Sequence, residues 1–266
     1  MTQTIKGLRI LNTRPTNQQD VLSDAIQSIG GISISFPALS IEPSTERWWT
    51  EIPSLTSVQQ VIFVSANAVH YFFTRLYEQK EVLPKTIQTT AIGYATAKAL
   101  SSWHKVDHIP PMANSESLLG LKNLLSIEKQ TILLVKGEGG RMIIEQTLLA
   151  RGATVIPLNV YRRALPNPSQ EEITSLWQDD LVDIILFTSQ QTMQNLFTLF
   201  DKTAHAWLLH KPCIVISERL AEEALRFGMQ SIIVSSYDTI LVTLEHYYRE
   251  RTNRTISYWR PSSPKD

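Results

Sequence analysis

Short aliphatic and β-branched runs alternate along this chain with stretches whose apolar residues recur every three or four positions. Runs at 8–13, 32–36, 61–64, 87–92, 106–109, 131–135, 154–158, 183–187, 213–216 and 231–234 predict strands. Residues 17–29 carry the other period: Val21, Leu22, Ala25, Ile26 and Ile29 share one helical face. Gly30-Gly31 follows, supplying the left-handed backbone at which helices end. Strand, turn and amphipathic helix in steady succession predict an α/β fold, a parallel sheet covered by helices.

The pattern also repeats itself. Ile10–Pro43 resembles Ile132–Pro166, with Gly30 matching Gly152. Val61–Ser65 resembles Ile184–Ser189, and Ala91–Ala97 resembles Val215–Ala221. Three matches in order, at one offset of about 122 to 124 residues, indicate a duplicated unit. The connectors 37–45 and 158–168 are both extended and carry prolines (Pro37, Pro43, Pro166, Pro168). Side by side they would form a two-strand hinge. The expected organisation is then two doubly wound, flavodoxin- or Rossmann-like lobes of five strands each. Residues 1–37 with 168–248 form the first and 45–159 the second. Residues 38–44 and 160–167 are the hinge strands, with 249–266 a flexible tail.

Composition narrows the function. With 43% hydrophobic residues the chain can bury real cores, so disorder is excluded as its main state. The 25 Lys and Arg against 25 Asp and Glu leave no surplus cation for a nucleic-acid backbone. A single cysteine, Cys213, excludes a disulfide scaffold and suits a reducing, cytoplasmic setting. No apolar run approaches the roughly 18 residues that span a bilayer, and the N-terminus lacks a signal-peptide core. Neither nucleic acid nor a membrane is an expected partner.

Ligands of open α/β sheets bind beyond the carboxyl ends of the strands. The turns there are Thr13-Arg14-Pro15, Ser65-Ala66-Asn67, Gly93–Thr96, Lys136–Arg141, Thr188–Gln191 and Ser217-Glu218-Arg219. They share hydroxyls, glycines and scattered cations. Singly, each reads as helix capping; together they suit an anionic ligand at helix N-termini. Gly137-Glu138-Gly139-Gly140-Arg141 is neither a P-loop nor a full dinucleotide motif, which disfavours a nucleotide enzyme. The six histidines show no metal-ligand spacing, and no nucleophile elbow occurs. Tyr161, beside Arg162 and Arg163 where the second lobe meets the hinge, is a candidate proton donor to a leaving group.

Taken together, Leu11–Pro15, Phe63–Val69, Ala91–Ala97, Lys136–Arg141, Arg151-Gly152-Ala153, Val160–Arg163 and Phe187-Thr188-Ser189 resemble the uroporphyrinogen-III synthase family over about 1–245. The resemblance implies two α/β lobes on a two-strand linker with the site in the cleft. It implies hydroxymethylbilane as substrate, no cofactor and no metal, and hydroxymethylbilane synthase as a transient protein partner. The reaction it implies removes the terminal hydroxyl as water, inverts the last pyrrole through a spiro intermediate and closes the macrocycle. Tyr161 matches the tyrosine proposed in the family to assist loss of the hydroxyl, and Thr96 matches its cleft threonine. Arg14, Ser65, Asn67, Gly137, Arg141, Thr188, Ser189, Gln190, Ser217 and Arg219 complete the expected substrate-binding set. One turn departs: where the family reads Gly-Pro-x-Thr-Ala, this chain has Ser217-Glu218-Arg219-Leu220-Ala221, lacking the hydroxyl and adding a carboxylate. That departure keeps open an alternative, a non-catalytic two-lobe protein binding a tetrapyrrole or another small polyanion.

Overall fold

The computed structural model describes residues 4–253 and 255–261. Its strands are β1 (Arg9–Asn12), β2 (Ile32–Ser35), β3 (Ser40–Pro43), β4 (Gln60–Phe63), β5 (Gln88–Ala91), β6 (Thr131–Gly137), β7 (Thr154–Ala164), β8 (Ile184–Phe187), β9 (Cys213–Val215) and β10 (Ile232–Val234). Its helices are α1 (Asp20–Ser28), α2 (Ala66–Glu78), α3 (Tyr94–Leu100), α4 (Ser115–Leu119), α5 (Ile143–Ala150), α6 (Gln170–Gln178), α7 (Gln190–Leu199), α8 (Lys202–His210), α9 (Glu218–Arg226) and α10 (Ile240–Asn253). The chain divides into two compact units, Met1–Ser40 with Ala164–Asp266 (unit 1) and Ile41–Arg163 (unit 2).

In unit 1 a five-stranded sheet runs β10-β9-β8-β1-β2, each neighbouring pair parallel. Successive residues feed opposite faces, as the strand period of two demands. Leu11, Ile185 and Phe187 enter one core, while Ile10, Ile184 and Leu186 enter the other. Continuous apolar runs are therefore required here, because both faces are covered by helices.

Unit 2 carries a five-stranded sheet of order β3-β7-β6-β4-β5, with β4–β5, β4–β6 and β6–β7 parallel. Val61, Phe63, Leu133 and Val135 pack on one side, Ile62, Ile132 and Leu134 on the other. The fifth strand differs from expectation. Residues 106–109 form no strand, and only Thr90 and His108 make a parallel bridge. Asp107 and His108 interrupt this run, which lacks the continuous apolar character of a strand buried on both faces. The Oγ1 of Thr89 instead donates to Lys105 O, and Asp107 Oδ2 accepts the Thr89 N–H at 3.0 Å. The vacancy in the count is filled at the other edge by β3, drawn from the proline-bearing connector.

The expected tail over 249–266 starts too early. Residues 249–253 are the last turn of α10, whose Leu244 and Tyr247 are buried. Further on, the Trp259 N–H donates to Ile232 O at 2.7 Å. Arg254 and residues 262–266 lie outside the described residues. What holds α10 at this place is Asp183, at the start of β8. Its carboxylate accepts the Arg9 backbone N–H at 2.9 Å, the Arg9 guanidinium at 3.1 Å through Nε and Nη2, and Arg251 Nη2 at 3.1 Å. Burial alone would raise its pKa, but the Arg9 hydrogen bonds and Arg251 outweigh it and bring the value to about 2. An unfolded aspartate titrates near about 3.9. The stabilisation is therefore complete above that value and lost as pH falls toward 2. Asp183→Asn is expected to destabilise unit 1 by roughly 2 kcal/mol at neutral pH and to flatten the acid limb of its stability. Urea melts between pH 2 and 7 measure both effects.

Candidate active site

In unit 2 the connections β4 to β5 and β6 to β7 diverge from the central pair β4 and β6. That divergence opens a crevice beyond the carboxyl ends of the two strands. A cavity of about 250 Å³ lies there. Val64 and Ser65 after β4, Lys136 and Gly137 at the end of β6, and Glu138, Arg141, Tyr161 and Arg163 line it.

Register places Tyr161. From Thr131–Thr154 to Lys136–Asn159, β6 and β7 pair residue for residue; then the register shifts and Gly137 faces Tyr161. Such a bulge re-aims the side chain that follows it. Glycine is the residue that fits opposite, because a Cβ at position 137 would stand 2.5 Å from Tyr161 Cζ. The buried Tyr161 ring stacks on Tyr71 at 6.1 Å with 23° between planes. Tyr71 in turn donates to Ile41 O at 2.7 Å. Burial, with Glu42 as a lesser cause, pushes the Tyr71 phenol above its ordinary value and keeps it a donor.

The Tyr161 hydroxyl oxygen accepts from Ser65 Oγ at 3.2 Å. Ser65 is also the N-cap of α2, its oxygen accepting the Ala68 N–H at 3.0 Å. One serine hydroxyl thus serves twice, as acceptor for the helix and donor to the phenol. The phenol keeps its own proton for another partner.

The cations sort by strand alternation. Tyr161 and Arg163 lie on one face of β7 and both line the cavity. Arg162, expected beside them, is turned to the opposite face and binds Glu42 at 2.6 Å. Lys136, with a side chain 12% exposed, has only a loose partner, Glu145 at 4.0 Å. Arg141 is exposed on the glycine turn, 3.8 Å from Glu116. Asn67, in the first turn of α2, and Thr96, buried in α3, do not line this cavity.

Unit 1 has the same topology, its chain diverging from β8 and β1. Thr188 and Ser189 follow β8; Arg14 follows β1. The Thr13 Oγ1 donates to Leu186 O at 2.7 Å and ties the two strand ends together. Ser189 caps α7 and Ser217 caps α9, each accepting a backbone N–H from three residues on. Gln190 donates to Glu223 at 3.2 Å. Arg219 and Glu218 are exposed, whereas Leu220 is buried in the apolar core, so its side chain offers no ligand contact at the place where the resemblance led to an expected hydroxyl. Tyr237, after β10, joins this set: its hydroxyl accepts from Arg14 Nη1 at 2.6 Å. The strand-end rule that selected the other turns also covers Ser235-Ser236-Tyr237, and so could have found it. Among the described residues, no group of three or more His, Cys, Asp and Glu stands close enough to hold a metal ion. Among them too, no helix is long and apolar enough to cross a membrane.

Fold and site together define a class: an α/β protein of two doubly wound units, hydroxyls and cations at both switch points, and a buried tyrosine at one. The family model described as uroporphyrinogen-III synthase HemD matches residues 20–240, and the chain belongs to that family. It is 31% identical over 233 residues to uroporphyrinogen-III synthase of Escherichia coli K12, covering 86% of this chain and 95% of the relative. The Salmonella typhimurium enzyme of the same name is 30% identical with the same coverage. Solved structures agree on the fold. A mutant uroporphyrinogen III synthase of Thermus thermophilus superposes with TM-score 0.58 at 18% identity, covering 93% of this chain and all of that one. Uroporphyrinogen-III synthetase of Helicobacter pylori gives TM-score 0.58 at 18% identity, covering 91% and 99%. Membership makes the chain an enzyme of the lyase class, and the reading as a non-catalytic binding protein falls away.

The fit of Gly137 under Tyr161 can be tested directly. Gly137→Ala is expected to displace the ring, cutting turnover at least tenfold while costing roughly 1–3 kcal/mol of stability. Steady-state kinetics and urea melts of the purified variant measure the two effects, and unchanged turnover would show that the ring's seat is immaterial.

Proposed function

We propose that this enzyme acts on hydroxymethylbilane, removing its terminal hydroxyl as water and closing the chain to uroporphyrinogen III with the last pyrrole inverted. The observation that carries this reading is the Tyr161–Ser65 hydrogen bond on the floor of a cation-rimmed cavity at the switch point of unit 2. A cavity of this volume suits one substituted pyrrole rather than a whole tetrapyrrole.

Loss of a hydroxyl needs a proton, because hydroxide is a poor leaving group and water a good one. The Tyr161 Oη–H supplies it as general acid. Ser65 donates to the same oxygen, so it stabilises the phenolate that forms and aims the phenol proton away from α2. The departing bond leaves a cation delocalised onto the pyrrole nitrogen. Attack on it by the substituted α-carbon of the last pyrrole gives a spiro intermediate; the bond from that carbon to the methylene of the third ring then breaks and leaves a second cation there. The free α-carbon of the now inverted pyrrole attacks that methylene and closes the macrocycle, and the proton it releases on rearomatisation returns to the phenolate. The net change is loss of one water. Selecting which carbon attacks is a matter of orientation. For that, Lys136, Arg141, Arg163, Asn67, Thr96 and the turns of unit 1 around Thr188, Ser189, Gln190, Ser217 and Arg219 are proposed to hold the substrate carboxylates.

Purified protein given fresh hydroxymethylbilane is expected to yield the type III isomer, read by chromatography of the oxidised products. Type I alone, the spontaneous product, would overturn the assignment. Tyr161→Phe is expected to lower kcat by about 10² with KM nearly unchanged. Ser65→Ala should lower it less, since the acid remains but its orientation and the stabilisation of its phenolate are lost. Equal kcat for wild type and Tyr161→Phe would remove the phenol from the mechanism.

A further inference from the structure

Arg14 stands out among the arginines of unit 1. It is 8% exposed, and its backbone is fixed on every side. Its N–H meets Asn12 Oδ1 at 3.3 Å, and its carbonyl accepts Gln19 Nε2 at 2.6 Å. Among the described residues the guanidinium finds only neutral partners, Tyr237 Oη at 2.6 Å and Gln18 Oε1 at 3.2 Å. Its Nε is buried and, among those residues, bonded to nothing. None of the ion pairs among the described residues includes it. Arg9, by contrast, is more exposed and is paired with Asp183. A buried guanidinium without a counter-ion is costly, and proteins keep such charges paired.

The internal repeat sharpens the contrast. The residue equivalent to Arg14 after the central strand of unit 2 is Lys136, which has Glu145 at 4.0 Å. At the position equivalent to Glu145, unit 1 has Ser23, whose hydroxyl is engaged with Ser33 at 2.9 Å. The acid is missing on the side where the cation is most deeply buried.

We infer that Arg14 is the floor of a carboxylate-binding site in unit 1, covered by Tyr237, that takes one acetate or propionate arm of the tetrapyrrole. The inference rests on the proposed function for the identity of that arm. A guanidinium fork matches a planar carboxylate and can bind it through two parallel hydrogen bonds. Tyr237 lies over the fork, its ring centroid 4.9 Å from Arg14 Cζ, yet is itself 50% exposed. It belongs to a short turn (Tyr237–Thr239) between the last strand and α10. Because its oxygen accepts from Arg14, its own proton is available to the incoming carboxylate. One residue thus covers the charge when the site is empty and donates to the anion when it is filled.

The test uses the full chain and uroporphyrin III, an octacarboxylate probe, with affinity read by fluorescence titration and binding by thermal shift. Arg14→Gln is expected to bind the probe about tenfold more weakly while melting no lower than wild type without ligand, since it removes an unpaired buried charge. Its KM should rise by a similar factor with kcat within about twofold. Tyr237→Phe, which loses only the donor, should weaken binding about threefold. Unchanged affinity in Arg14→Gln overturns the inference, as does a melting temperature that falls with no loss of affinity. If Arg14→Gln does not fold, Arg14→Lys and Tyr237→Phe decide it by the same titration. Acetate or inorganic phosphate alone producing the full wild-type thermal shift would overturn the assignment to a tetrapyrrole arm. Wild-type protein that binds the probe but forms only the type I isomer would fail the proposed reaction, while the affinity ratio would still decide Arg14.

Discussion

A parallel strand packed on both faces has room for polar side chains only past its ends. In both units the central strands are apolar through Ile10-Leu11, Val61–Phe63, Ile132–Val135 and Ile184–Phe187, because one residue faces each core in turn. Chemistry is therefore pushed to the turns beyond their carboxyl ends. There the backbone must leave the sheet, hydroxyls cap the helices that follow, and cations can reach past the last apolar layer. Where two connections diverge, those turns stand apart enough to leave a cavity. The one at β4 and β6 is occupied on its floor by Tyr161, a residue that enters from the neighbouring strand β7 through a slip of register. Everything proposed about reactivity depends on that slip and on the missing Cβ beneath the ring.

Most of the architecture was legible in the chain because buried parallel strands leave little freedom in sequence. Nine of the ten strand runs stood out as apolar stretches, and the duplicated order gave the two doubly wound units. The two errors have one cause. Edge strands pack on fewer neighbours and need less apolar character, so β3, reading Ser-Ile-Glu-Pro, was legible as an extended hinge strand beside 160–167 and not as the edge of a sheet. At the offset of the repeat, the run at 106–109 is the counterpart of β10. In unit 1 that edge reads Ile-Ile-Val and pairs fully with β9; in unit 2 charged residues reduce it to a bridge. Repetition in sequence predicts where a strand can be placed, while local composition decides whether it forms.

The site was legible as a set of turns and not as a set of contacts. Ser65, Gly137, Arg141 and Tyr161 were recognisable one by one, and they do share a cavity. Nothing in the sequence says that Gly137 opposes Tyr161, since ordinary pairing would have put the tyrosine one step out of register. Tyr71 is hidden for a different reason: it sits on an amphipathic helix where an aromatic reads as core, and only the stacked geometry makes it a support for Tyr161. The misplacement of Arg162 is more instructive. Neighbouring cations in a sequence look additive, yet on a strand they point apart, so one rims the cavity and the other pairs with Glu42.

Duplication would leave both switch points with the same equipment, and the differences show how the work has been divided. Ser65 and Ser189 occupy equivalent places and cap equivalent helices. Lys136 and Arg14 are equivalent too. In unit 2 the cation has an acid 4.0 Å away and a tyrosine in the same cavity. In unit 1 the cation has no acid partner among the described residues, a planar fork instead of an ammonium, and a phenol laid over it. Guanidinium neither gives up its proton nor tolerates burial without an anion. It is a poor acid catalyst and a good anchor. The same scaffold position thus carries a loosely paired ammonium in one half and a guanidinium among neutral partners in the other, and the difference turns on which residues the duplicated helix presents: Glu145 in the first case, Ser23 in the second.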